Sequence, residues 1–122
     1  MALLVLLGAC SKDPGEEVRT RLYGVWRTAS PQYAGAALEI SPSRIRFLTV
    51  RGTVDENDIL YMEEGHCHDG VMVRITYADI HGTESLLDLC LTTMPGEDII
   101  SFINQDHIVW KKSAQPLEMD DI

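Results

Sequence analysis

Apolar and polar residues alternate along most of the chain between residues 24 and 112, which is the period of a β-strand with one buried face. The clearest example is residues 44–49, where Ile45 and Phe47 face one side while Arg44 and Arg46 face the other. Polar residues at 51–58 indicate a loop or a weak strand. The pattern predicts seven or eight strands, at residues 25–29, 37–40, 44–49, 59–64, 71–77, 86–91, 99–103 and 107–112.

Short turns separate these strands, so consecutive strands are expected to pair as antiparallel hairpins. Asp69-Gly70, between two segments rich in β-forming residues, is the strongest hairpin signal. Regular hairpins predict an all-β fold, either a sandwich or a barrel, and pairing of consecutive strands favours a small up-and-down barrel. In the predicted strands 71–77 and 86–91, the residues expected to face the core are Val71, Val73, Ile75, Tyr77, Leu87, Leu89 and Leu91.

A short helical turn is predicted before the first strand. Asp13 followed by Pro14 and Glu16 is typical of a helix start, with an acceptor at the cap, proline at the first position and a capping glutamate. The helix would cover residues 16–23 and end at Gly24. Its buried face would include Val18, Leu22 and Val25.

The first nine residues are apolar and uncharged, and they end in small residues, which is the pattern at the end of a secretory signal peptide. Leu7-Gly8-Ala9-Cys10 resembles the bacterial lipobox. That resemblance implies that Cys10 receives a diacylglycerol and palmitate-type acyl chains and becomes the new N-terminus. Ser11, where an aspartate would favour the inner membrane, implies the outer membrane. The expected organisation is a signal peptide at 1–9, a lipidated tether at 10–17, a barrel at 18–112 and a flexible acidic tail at 113–122.

Composition narrows the classes of partner. The chain has 122 residues, with 19 acidic and 10 basic side chains and a formal net charge of −9, so nucleic acid is not an expected partner. Its hydrophobic content of 45% is typical of a globular domain. No apolar run reaches the roughly 18–20 residues that a membrane-spanning helix needs.

The three cysteines fit the exported interpretation. If Cys10 carries lipid, Cys67 and Cys90 remain as a pair, and exported bacterial chains fold in an oxidising compartment. We therefore expect a Cys67–Cys90 disulfide, with two separate buried thiols as the alternative.

Gly24-Val25-Trp26, after a short helical turn, resembles the Gly-x-Trp sequence that opens the first strand of lipocalins. In that family the tryptophan closes one end of the barrel beneath a basic residue from the far end of the chain. The resemblance implies a lipocalin-like barrel in which Lys111 or Lys112 supplies that residue. A barrel of about 90 residues has short strands, so we expect its own side chains to fill the interior.

His66, Cys67 and His68 form the most chemically reactive segment. Alternation along a strand would place His66 and His68 on one face, where two imidazoles can share a divalent metal. Asp69, His81 or His107 is the candidate third ligand, and a solvated turn is the alternative.

No catalytic group is predicted. Cys67 beside two histidines is a conceivable nucleophile, but neighbours on a strand point apart and a disulfide would consume the thiolate. Arg44, Arg46 and Arg51 form a basic strip. These side chains can bind phosphates or pair with glutamates on a neighbouring strand.

The sequence therefore predicts a periplasm-facing, membrane-anchored lipoprotein that acts as a non-catalytic binding or assembly module. Its expected partners are the membrane, through the lipid, and a protein or a small apolar ligand, with no cofactor and no nucleic acid. The first alternative is a periplasmic metal-binding protein using His66 and His68, and the second is an enzyme that depends on Cys67.

Overall fold

The computed structural model describes residues 14–94 and 96–117. This part of the chain forms one helix followed by eight strands, with a 3-10 turn at Pro31–Tyr33 between the first two strands. The elements are α1 (Pro14–Leu22), β1 (Gly24–Thr28), β2 (Ala37–Ile40), β3 (Arg44–Leu48), β4 (Val54–Cys67), β5 (Gly70–Ala78), β6 (Glu84–Met94), β7 (Glu97–Phe102) and β8 (Gln105–Ser113).

Every strand pairs antiparallel with its neighbour in sequence, and β8 pairs back onto β1 to close the barrel. The closing register places Val25 opposite Ser113 and Thr28 opposite Trp110. The predicted all-β, up-and-down barrel is therefore confirmed, and the alternative of a sandwich is not found.

The fourth strand differs from its prediction because it begins at Val54, within the polar segment assigned to a loop or a weak strand. This polar segment pairs with β3, and Arg46 lies opposite Glu56 while Arg44 lies opposite Asp58. Arg44 pairs with Glu56, and its Nε atom is 3.8 Å from Asp58. The polarity thus marks a charged cross-strand ladder, in which Arg46 pairs with Glu39 of β2, so these two arginines of the predicted basic strip are ion-paired across strands.

The barrel interior is filled by its own side chains, as expected for a short eight-stranded barrel. Val73, Ile75, Leu89 and Leu91 are buried, while Val71, Tyr77 and Leu87 pack against them, which confirms the predicted core face. Val18 and Leu22 of α1 join the same cluster. The remaining fully or nearly buried members are Trp26, Leu38, Ile40, Ile45, Ile100, Ile108 and Trp110.

Trp26 lies where α1 meets the barrel and is completely buried. Its indole Nε1 donates to the Leu22 carbonyl oxygen at 2.9 Å, so the end of the helix is bonded to the first strand. Lys112 Nζ is 5.6 Å from the centre of the Trp26 ring, a cation–π contact. Lys112 is therefore the basic residue over the tryptophan, while Lys111 pairs instead with Glu97 at 3.2 Å.

A second, smaller cluster lies on the outside of β1–β3. Leu117 packs there with Val25, Ala37 and Leu48. Val25 thus faces away from the interior cluster that holds Val18 and Leu22, and its predicted place on the buried face of the helix is wrong, because the strand that begins at Gly24 turns alternate residues outward. The acidic tail was predicted to start at residue 113, but Ser113 ends β8 and Leu117 is buried.

The predicted signal peptide at 1–9 and the predicted lipidation site at Cys10 lie outside the described residues, as do residues 118–122. The helix α1 begins at Pro14 and thus occupies part of the predicted tether at 10–17. Among the described residues, no helix has the length and apolar character needed to cross a membrane.

Candidate functional site

A groove of about 740 Å³ lies on the outer surface of the barrel, where the tip of the β4–β5 hairpin meets β6, β7 and β8. Its apolar part is formed by Ile99, Ile103 and Val109, of which Ile103 is 46% and Val109 38% exposed. Thr92 and Ser101 add hydroxyl groups. An apolar surface with a few polar groups is the general character of a ligand site.

The Cys67–Cys90 disulfide is present and borders this groove. Cys67 lies at the end of β4 and Cys90 lies on β6, with their Cα atoms 6.0 Å apart. Because β5 lies between these two strands in the sheet, the bridge passes over β5. It fixes the tip of the hairpin to the wall of the barrel, and the alternative of two separate thiols is wrong.

Gly70 allows this close approach. It is the residue opposite Cys67, and a Cβ atom at this position would overlap the carbonyl oxygen of Leu91 and lie 2.9 Å from the carbonyl carbon. A side chain there would therefore push β5 away from β6 at the position where the disulfide crosses.

The two histidines are positioned differently from each other. His66 is on β4 opposite Val71, whereas His68 lies in the two-residue turn with Asp69. The turn therefore lies one residue earlier than predicted, and Gly70 is the first residue of β5. The strand ends at Cys67, so strand alternation does not determine where His68 lies relative to His66. His68 Nε2 is 3.7 Å from Asp69 Oδ1, and the His68 side chain is 96% exposed.

The candidate third ligands do not complete a metal site. Asp69 is next to His68, but His81 lies in the turn at the other end of β5 and His107 lies on β8. Between residues 14 and 117, leaving out Pro95, no group of three or more His, Cys, Asp or Glu side chains is placed to hold a metal ion. His66, His68 and Asp69 do line one end of the groove together.

An ion pair on the neighbouring outer surface was not predicted. Arg74 lies opposite Asp88, with Nε to Oδ1 at 2.8 Å and a second N–O contact at 3.0 Å. The hydrogen bond from the guanidinium lowers the pKa of the Asp88 carboxyl, and the same bond raises the pKa of Arg74. The backbone carbonyl oxygen of Asp88 also accepts a hydrogen bond from the Ile103 backbone N–H at 3.1 Å. Because Ile103 lines the groove, this bond connects the ion pair to the groove.

The apolar part of the groove was also missed. Val109 and Ile99 occupy outward positions of strands whose alternate residues, Ile108 and Ile100, are buried. An apolar residue at an outward strand position was the available signal, but only the cross-strand register shows that these residues are neighbours.

Comparisons with known proteins supply no relative. No family model matches the chain, and neither a curated protein nor a solved structure matches it. The function must therefore be inferred from the residues themselves.

Proposed function

We propose that this chain is a lipid-anchored protein of the bacterial cell envelope whose barrel acts as a non-catalytic binding or assembly module. The barrel faces the periplasm, and the outer membrane is the preferred anchor site because Ser11 follows Cys10. The observation that carries the proposal is the Cys67–Cys90 disulfide. Bridges of this kind form and persist in oxidising compartments, which is where an exported chain folds.

Cysteine use supports the same interpretation. With Cys67 and Cys90 bonded to each other, Cys10 is the remaining cysteine of the three. It follows the apolar segment at the position that the lipobox resemblance assigns to lipid. Several acyl chains on one cysteine give stable membrane anchoring, whereas a single chain is marginal.

Binding is proposed on the outside of the barrel. The interior is occupied by Trp26, Trp110 and the aliphatic residues around them, so the outer groove is the favoured place for a ligand. Ile99, Ile103 and Val109 suit a small apolar molecule or an apolar segment of a protein. Gly24, Trp26 and Lys112 support a lipocalin-like barrel, although in this chain the proposed site is not the barrel interior.

The anchor is tested by labelling a Gram-negative host that expresses the full chain with radioactive palmitate. The wild-type protein should carry label in the membrane fraction, and Cys10→Ser should lose both the label and the membrane location. The matched control removes the disulfide instead, through Cys67→Ser with Cys90→Ser, and should keep the label. Unlabelled wild-type protein in the cytoplasm would contradict the proposal.

Metal binding is the second candidate, because His66, His68 and Asp69 line the same end of the groove. A Zn²⁺ or Cu²⁺ ion there would need solvent or a partner to complete its coordination. Metal content of the purified wild type is compared with that of a His66→Ala, His68→Ala double variant. Equal content in both proteins would remove this candidate.

An enzyme that depends on Cys67 is the third candidate. The bonded sulfur has no thiolate, so this reaction requires the reduced chain. Thiol labelling of the native protein distinguishes the two states, and we expect no label at Cys67 before reduction.

A further inference from the structure

The strand β4 is much longer than its neighbour β3. It has 14 residues, while β3 has five, and the β3–β4 register ends with Arg44 opposite Asp58. One more bond follows, from the Ile59 backbone N–H to the Ser43 carbonyl oxygen at 2.9 Å. Beyond this point, within residues 14–94 and 96–117, β4 pairs only with β5. Residues 61–67 therefore form an open sheet edge.

The hairpin register shows which backbone groups point out from this edge. A two-residue turn makes Cys67 and Gly70 a hydrogen-bonded pair, and bonded and non-bonded pairs alternate along an antiparallel ladder. Met62, Glu64 and His66 therefore direct their N–H and C=O groups away from β5. Such a row of groups is a template for another strand.

The edge lacks two of the usual protections of sheet edges, proline and a bulge, although Glu63 and Glu64 carry charge. It contains no proline and no lysine, and the only irregularity between β4 and β5 in the described ladder is at Ile59–Tyr61, before residues 62–67. Tyr61 is 55% exposed, and Glu63, Glu64 and His66 are exposed as well. An approaching strand thus finds both the backbone groups and the side chains accessible.

A second copy of the same edge can pair without bringing carboxylates together. If two β4 edges pair antiparallel about a two-fold axis at Gly65, Glu64 of each copy lies opposite His66 of the other, and Glu63 lies opposite Cys67. No carboxylate then faces another carboxylate. An axis at Glu64 would instead bring two carboxylates together, which is unfavourable directly across a ladder.

We propose that β4 binds β4 of a second copy in this register, so that the two β4–β5 hairpins form one continuous sheet across the dimer. Gly65 lies at the axis and would meet its own symmetry mate, so no pair of side chains has to be accommodated at this position. The pairing is short, so the interface belongs at the small end, below roughly 1,200 Å², and the dimer is weak. This inference does not depend on the lipid anchor.

The test is sedimentation of the full oxidised chain over concentrations from about 10 μM to about 1 mM, a range that covers weak complexes. The average mass of the wild type should rise from 13.6 kDa toward twice that value. Glu64→Pro should stay at the monomer mass, because proline removes an N–H that points to the partner and leaves the bonds to β5 intact.

The matched control is Ile80→Pro, in an exposed turn at the other end of β5, where Gly82 N–H donates to the Asp79 carbonyl oxygen. Proline suits this second turn position, and the variant should dimerise like the wild type. Circular dichroism checks that each variant is folded. If Glu64→Pro is not, His66→Pro blocks the same edge and should also remain a monomer.

Hydrogen exchange locates the interface. At high concentration the amides of Met62, Glu64 and His66 should exchange more slowly, while those of Glu63 and Gly65, already bonded to β5, should not change. A wild type that remains a monomer at about 1 mM would overturn the proposal. Equal association of the wild type, Glu64→Pro and Ile80→Pro would also overturn it, because the copies would then be meeting through another surface.

Discussion

Removal of the Cys67–Cys90 bridge should cost the barrel a large part of its stability. The two cysteines are 23 residues apart in sequence, and closing a loop of that length in the unfolded chain corresponds to about 3.4 kcal/mol in the chain-entropy model. Native domains are stable by about 5–15 kcal/mol, so the loss is a substantial fraction. For a domain of about 100 residues it corresponds to a fall in Tm of roughly 15 °C.

The variant is Cys67→Ala with Cys90→Ala, which removes both sulfurs and leaves no new polar group at the buried Cys90 position. Urea unfolding followed by far-ultraviolet circular dichroism gives the free energy of unfolding, and a temperature scan gives Tm. Cys10→Ser is the control and should unfold like the wild type, because that cysteine takes no part in the bridge.

The location of the loss is as informative as its size. Backbone amides of β4 and β5 near the hairpin tip should lose hydrogen-exchange protection first, since the bridge connects that tip to β6. A double variant that loses less than about 1 kcal/mol would refute the reasoning, because the bridge would then constrain the unfolded chain far less than its loop length requires.

Three further substitutions follow from the geometry. Gly24→Ala should lower the free energy of unfolding by about 1–3 kcal/mol in urea titration, because Gly24 has a φ of 140°, where a side chain is strained; an unchanged midpoint would contradict this. Gly70→Ala should leave Cys67 and Cys90 accessible to a thiol reagent, because the new methyl group would overlap the Leu91 carbonyl oxygen; complete disulfide formation would refute it. Asp88→Asn should have a lower free energy of unfolding than the wild type above pH 3.8. The difference should disappear as the pH falls through the lowered pKa of Asp88, because protonation of Asp88 removes the same charge from the wild type. A difference that is constant with pH would show that the Asp88 charge does not stabilise the fold.

Most of the fold could be predicted because local patterns determine it. Strand alternation placed Val73 and Ile75 in the core, and the resemblance at Gly24-Val25-Trp26 offered Lys111 or Lys112, of which Lys112 lies over the buried indole. The closure of the barrel followed from short turns between consecutive strands. The strand pattern and the turns depend on residues that are close in sequence or on a single face of one element, whereas the contact between Lys112 and Trp26 joins β8 to β1.

The errors concern features that depend on neighbouring strands. For residues 54–58 a loop and a weak strand both stayed open, because the partner of Glu56, on β3, cannot be read from the segment itself. Leu117 appeared to belong to a free tail because its contacts are on β1–β3, far away in sequence. The candidate site was only partly predicted for the same reason. The disulfide followed from cysteine parity, whereas the apolar part of the groove can be recognised only from the register of β6–β8.

The intact mass of the protein isolated from the membrane fraction tests the proposed export and anchoring most directly. We expect a chain that begins at Cys10, carries the added mass of a diacylglycerol and an acyl group, and shifts by two hydrogens when the Cys67–Cys90 bridge is reduced. An unmodified chain that still contains residues 1–9 and has three free thiols would contradict the account.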